Sequence, residues 1–405
     1  MLMDRKEKFE EPAFIEPEKM AEAEDRYNQR EPIVKASKQS KNPFKKLTKI
    51  WRGASRLQKV AMIFVLVVIL GGAGYGAYAL FIKNEPAQET DQSNKQEAEP
   101  VVVEPPKPTT EASRLTGVQI TPELNKRGIT AVMIENSPDA RPQSGLKDAG
   151  VVFEAIAEGG ITRFLALFQE AQPDYIGPVR SARPYYIDWL SAFDPTYAHA
   201  GGSPEAISLI AQLGLKDIPD DGLNQTFWRI NSRYAPHNLY TSIANLDAAR
   251  SRKGYGGSSF TSLKRGEEKA VSPVTAAAID INPSSQLYGV HYDYDATTNS
   301  YKRFLAGQPH VDEKSGAQIM PKVVIAWVVP YSIHPDRVHS VYGTIGSGKA
   351  IVFQNGVAAE VTWHKASRTE QVTFTDAAGS AVALNPGQTW FTAVGSSDLI
   401  GFRGP

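Results

Sequence analysis

The stretch VVFEAIAEGGITRFLALF, residues 151–168, decides how the folded part of the chain is read. Val151–Ala157 and Arg163–Gln169 are β-rich runs, and Gly159-Gly160 between them suits the tight turn of a hairpin. A two-residue turn pairs Glu158 with Ile161, Ile156 with Arg163 and Glu154 with Leu165. Alternation then places Glu154, Glu158 and Arg163 on one face, with Phe153, Ala155, Ala157, Phe164, Ala166 and Phe168 on the other. An Arg between two Glu on rigid strands is either a buried structural network or the ionic frame of a site.

Outward from the hairpin, Thr130–Glu135 (TAVMIE) is a further short strand. Pro184–Phe193 reads as a helix with Pro in its first turn. Ser203-Pro204-Glu205 opens another, with Ser as N-cap and Gly214 as the stop, and Thr241–Arg250 is a third. Beyond residue 272 the pattern changes. Val323–Val329, Ala350–Gln354, Ala359–Trp363, Gln371–Thr375 and Thr389–Val394 are β-rich runs separated by turn dipeptides such as Asn355-Gly356 and Pro386-Gly387. The expected fold is an α/β domain over 117–258 followed by a smaller, mainly antiparallel β domain over 273–396. The polar stretch Gly254–Ser272 is the expected boundary.

Upstream, Val60–Ile82 is an uncharged run long enough to cross a bilayer as one helix, bracketed by Lys59 and Lys83. Residues 35–59 hold nine Lys or Arg and no acid, whereas 84–114 hold seven acids. That asymmetry predicts a cytoplasmic N-terminus and an extracytoplasmic C-terminal part. Residues 1–59 read as a disordered cytoplasmic segment ending in the basic block, and 83–116 as a Pro/Glu-rich linker. Ala77-Tyr78-Ala79 is the weaker alternative, a cleavage site. The chain has no cysteine, so a lipidated Cys, a disulfide framework and a Cys-based zinc site are all excluded. Residues 115–405 carry 25 bases and 27 acids, a balance that gives no electrostatic footprint for nucleic acid.

Gly343–Ala350 nearly matches the phosphate-cradling GxxxxGK[ST] pattern, but Ala350 lacks the hydroxyl and a strand-like run follows where a helix is needed. Three other clusters combine Gly, Arg and His: IGPVRSARP around Arg180 and Arg183, HAGGSP from His199 to Pro204, and RYAPHN ending at His237-Asn238. The arginines offer the planar fork that a carboxylate or phosphate prefers, and a Gly-rich turn before a helix leaves backbone amides for an anion. The candidate ligand-binding set is Glu158, Arg163, Arg180, Arg183, His199, Gly201, Gly202, Ser203, His237 and Asn238. The seven histidines lack zinc spacing, and Ser203 sits in no GxSxG elbow. No metal or cofactor is expected, and no catalytic residue is assigned.

The segments ITAVMIENSPDARPQSGL, VVFEAIAEGGITRFLALF, IGPVRSARPYYIDW, HAGGSPEA and YAPHNLYT resemble the YerB-like bacterial lipoprotein family, a pair of domains of unknown function, over roughly Gly117–Val394. The resemblance implies an extracytoplasmic envelope protein of Gram-positive-type bacteria and no established activity. It also implies a lipid-acceptor Cys that this chain lacks, with the apolar run at Val60–Ile82 in its place. Three functions follow: a tethered binder of an anionic wall component, a wall hydrolase or transferase using Glu158 or Glu154 with His199 or His237, and a scaffold. Binding is favoured, because no nucleophile–base–orienter set can be assembled.

Overall fold

The computed structural model describes residues 109–405 apart from 224, 270 and 271. Its centre is a ten-stranded mixed sheet. Across the sheet the strands run Thr373–Thr375, Val357–Lys365, Gly346–Gln354, Val323–Val328, Thr389–Val394, Val151–Glu158, Ile161–Phe168, Thr130–Glu135, Thr196–His199 and Lys216–Pro219. Thr389–Val394 is the join: it lies parallel both to Val323–Val328 and to Val151–Glu158. Both halves of the chain therefore share one sheet.

The strands at the join are apolar along almost their whole length because both faces are covered. On one face Met133, Phe153, Leu165, Trp327 and Phe391 pack against Tyr186, Trp189 and Ile210 of the helices Pro184–Leu190 and Pro204–Leu213. On the other, Val132, Val152, Phe164 and Trp390 meet Ile243, Leu246 and Ala249 of the helix Ile243–Lys253. An antiparallel five-stranded sheet, running from Gln308–Pro309 at one edge to Ile400–Arg403 at the other, packs Ile279, Tyr292 and Tyr301 on Val324, Ala326 and Phe353.

The α/β expectation is corrected by this arrangement. The described chain is mostly β-sheet, and its longest helix has 11 residues. One β-α-β unit, Thr196–His199 to Lys216–Pro219 through Pro204–Leu213, sits at the sheet edge and accounts for the reading. The central parallel pairs instead join strands remote in sequence, which no local pattern signals. Among the described residues no helix is long and apolar enough to cross a membrane. The run Val60–Ile82, read as a membrane helix, lies outside the described residues, as do 1–59 and most of the 83–116 linker.

The hairpin register is the second correction. Glu158 pairs with Ile161 as expected, but a bulge between Ile156 and Glu158 makes Ala155 the partner of Arg163 and Phe164 the partner of Glu154. One inserted residue reverses the faces upstream of it. Glu154 consequently joins Val152 and Phe164 on the face opposite Arg163.

Candidate functional site

The bulge leaves Glu158 with Arg163 and sends Glu154 elsewhere. Arg163 Nη2 donates to Glu158 Oε2 at 2.8 Å, and the Arg183 guanidinium holds Glu158 Oε1. All three side chains are buried. Arg163 Nη1 also donates to the Ser181 carbonyl at 2.8 Å, and Arg183 Nη1 to that of Ala182 at 2.6 Å, so the ionic group fastens the segment 180–183 to the sheet. On the far face Glu154 meets Arg303 Nη2 at 2.8 Å, with Trp390 Nε1 and Thr162 Oγ1 as further donors. Arg303 then reaches His310 Nδ1 at 2.9 Å, and its guanidinium lies 4.2 Å over the Trp390 ring.

Segment 180–183 is extended and clamped on both sides. Arg180 N donates to Met133 O at the end of Thr130–Glu135, while Ala200 N donates to Arg180 O and Ala182 N to Gly201 O. The Gly201-Gly202-Ser203 turn serves this clamp. Gly201 has φ +65°, and a Cβ on Gly202 would come within 3.2 Å of the Ala182 methyl. Ser203 Oγ accepts from Ala206 N at 3.3 Å, the N-cap role predicted for it.

The same clamp brings Arg180 to a residue that sequence reasoning passed over. Glu135, the last residue of its strand, is the cross-strand partner of Arg163. Its Oε1 lies 3.5 Å from Arg180 Nε, 2.9 Å from His237 Nδ1 and 2.8 Å from Ser137 Oγ. Its Oε2 is buried with no hydrogen-bond partner. Four sequence candidates (Arg163, Arg180, Arg183 and His237) thus gather around two carboxylates, the candidate Glu158 and Glu135, on the two strands that flank Ile161–Phe168. The cluster opens to solvent at His237, whose Nε2 lies 4.0 Å from the exposed Asp139 carboxylate. Glu135 and Ser137 stand in ENSPD, where a strand ends and a turn begins. An acid at a strand end followed by a turn was the available signal, but its partner is 102 positions away.

The remaining candidates stand apart from this opening. His199 is buried, with Nδ1 2.7 Å from Gly201 O and Nε2 2.9 Å from Asp217 Oδ1. Asn238 ties its own loop, donating to the carbonyls of Ile230 and Arg233 and accepting from Arg229.

Charge at the opening is set by mutual contacts. Burial acts to raise the Glu135 pKa, but Arg180 and the hydrogen bonds from His237 and Ser137 outweigh it, holding the carboxyl below its ordinary 4.5. The bond to Glu135 raises the His237 imidazole above 6.5, against burial. By linkage, His237 contributes stability that is fully present below its unfolded value of 6.5 and is lost as pH rises through its higher folded value. Glu135 contributes stability present above 4.5 and lost as pH falls through its lower folded value. Urea midpoints should therefore fall more steeply from pH 6 to 8 in the native chain than in His237→Gln. Equal slopes would remove the imidazole from this linkage.

Two adjacent family profiles match the chain, the N-terminal domain of a protein of unknown function (DUF3048) at residues 115–256 and its C-terminal domain at 279–391. "Putative lipoprotein YerB" of Bacillus subtilis (strain 168) is 33% identical over 290 residues, covering 70% of this chain and 86% of that one. The chain belongs to the YerB-like DUF3048 family. The crystal structure of YerB from Bacillus subtilis matches with a TM-score of 0.65 and 29% identity, over 71% of this chain and 98% of the other. Glu135, Arg180 and His237 all fall within the N-terminal DUF3048 segment, and Arg303, which holds Glu154, falls within the C-terminal one.

Proposed function

We propose that this protein is an envelope-attached, extracytoplasmic binding module for an anionic cell-wall component. The observation that carries the reading is the meeting of Arg180 and His237 on one Glu135 carboxylate oxygen, at a place open to solvent through His237. An imidazole anchored through Nδ1 on a buried carboxylate presents its protonated Nε2 to an incoming phosphate or carboxylate as a charge-assisted donor, with the positive charge of Arg180 on the same anchor. Envelope attachment draws on the lipoprotein description of the Bacillus subtilis relative. In this chain, which has no cysteine, the apolar run Val60–Ile82 with its basic flank supplies the anchor in the proposal.

The test is a binding isotherm of the full chain in nanodiscs against purified wall polyol phosphate and against peptide-stem fragments. Saturable binding that falls at least tenfold in Arg180→Gln/His237→Gln, and that weakens as pH rises through the His237 titration, is the expected result. Absence of saturable binding to either probe leaves the scaffold reading in its place.

A further inference from the structure

Arg141, which follows the turn Pro138–Ala140, is a fixed guanidinium whose charge is not paired. Its Nε donates to Asn136 Oδ1 at 3.1 Å and its Nη2 to the Asn136 carbonyl at 2.9 Å. Among the described residues no carboxylate lies within ion-pair distance of it, and its Nη1 makes no hydrogen bond. Glu154 and Arg303 both act on it through space, but they are paired with each other, so Arg141 is the surplus cation of the group. Asn136 is fully buried, donates from Nδ2 to Thr162 Oγ1 at 2.7 Å and accepts from Gln143 Nε2 at 2.9 Å. The guanidinium is thereby pinned on a rigid amide and laid over the Tyr288 ring, 5.1 Å from its centroid.

Tyr288 is 5% exposed, yet its hydroxyl has no hydrogen-bond partner among the described residues and is not sealed from solvent. A phenol buried to this degree ordinarily finds a partner. Burial pushes its pKa up to about 12, so the hydroxyl keeps its proton at neutral pH and is a donor. Arg141, Glu135 and Asp139 all act on that hydroxyl, which places it at the opening where His237 rests on Glu135. Arg141 belongs to the N-terminal DUF3048 segment and Tyr288 to the C-terminal one.

Resting on the binding reading above, we propose that Arg141 and Tyr288 form a second anion subsite beside His237, so that the ligand is a chain of successive phosphates joined by a polyol. Two cationic donors at one opening are satisfied together only by a ligand with at least two anionic groups. Protonated Nε2 of His237 takes one phosphate, and Nη1 of Arg141 with the Tyr288 hydroxyl takes the next. A polyol phosphate repeats its charge at every linkage, whereas a stem peptide presents isolated carboxylates. The Asp139 side chain is 81% exposed, so it yields Nε2 to an incoming phosphate without breaking any buried contact.

The experiment compares isotherms of single glycerol phosphate units and of purified wall polyol phosphate chains, with the full protein in nanodiscs. The native protein should hold the chain more than about tenfold more tightly than the single unit, because a second contact on one ligand multiplies the first. Arg141→Gln should weaken chain binding by about tenfold and remove most of that preference. Tyr288→Phe should weaken it about threefold to tenfold with the melting temperature unchanged, since the hydroxyl makes no bond inside the described protein. This second variant keeps the test decisive if Arg141→Gln fails to fold. Saturable binding without a chain preference, or a preference that survives both variants, overturns this inference and leaves the binding module standing. Absence of saturable binding overturns the two together.

Discussion

Arg303→Ala should lower the unfolding free energy by about 3–5 kcal/mol, the cost of removing one member of a buried ion pair. Arg303 and Glu154 are each 0% exposed, and the pair joins strands on either side of the Gly254–Ser272 connector. The substitution leaves the Glu154 carboxylate with the neutral donors Trp390 Nε1 and Thr162 Oγ1 in place of a cation. It also removes the plate that stacks on Trp390 and the donor that meets His310. His310 is held well below its ordinary pKa by burial and by Arg303. Without Arg303 that imidazole becomes easier to protonate, so the variant should lose less stability below pH 6 than at pH 8. Arg303→Met combined with Glu154→Leu should recover most of the loss, because apolar replacement of a whole buried pair is often neutral or stabilising. Chemical denaturation of the two variants decides. A single variant within 1 kcal/mol of the native chain would mean that water reaches the pair.

A chain ending at residue 258 should not fold cooperatively. It retains Val151–Glu158 but removes Thr389–Val394, whose backbone pairs with it from Thr389 opposite Val151 to Thr392 opposite Glu154. It also strips Trp390 and Phe391 from the two cores that sandwich the hairpin, removing the Phe391 ring that stacks on Phe153 at 4.6 Å. The remaining sheet would present a long, apolar, unpaired edge, which invites association. The expected results are a broad thermal transition with little near-ultraviolet ellipticity, dye binding to exposed apolar surface, and recovery when residues 259–405 are supplied in trans. A sharp, reversible transition for the fragment alone would show that the edge strand is dispensable.

How much of this was legible depended on whether the signal was local. Thr130–Glu135 and Thr389–Val394 have the limits their β-branched runs indicate, and Ser203, Pro204 and Gly214 mark the ends of their helix as their side-chain chemistry requires. The hairpin turn was legible for the same reason. Its register was not, because both faces are buried and no polar–apolar alternation reports which residues share a side. A single inserted residue near Ala157 therefore separated Glu154 from Arg163 without changing any local pattern. Arg180 and Arg183 stand in one Gly/Pro-containing segment that the sequence singled out, but the carboxylate that holds Arg180 with His237 could not be read from it. Glu135 looked like the polar end of a buried strand, and its two partners belong to loops that the sheet brings together from a distance.

The position of Thr389–Val394 in the middle of the sheet also has a temporal side. Glu154 and Trp390 are hydrogen-bonded across 236 positions of sequence. A polypeptide made from its N-terminus at about 5–20 residues per second carries the hairpin for roughly 10–50 s before the strand that covers its edge emerges. During that interval Val151–Glu158 is a template for any other nascent copy nearby. Productive maturation of this protein is thus a race between completing its own last strand and being captured by a neighbour, and slowing the ribosome over residues 259–388 should shift the outcome toward aggregates.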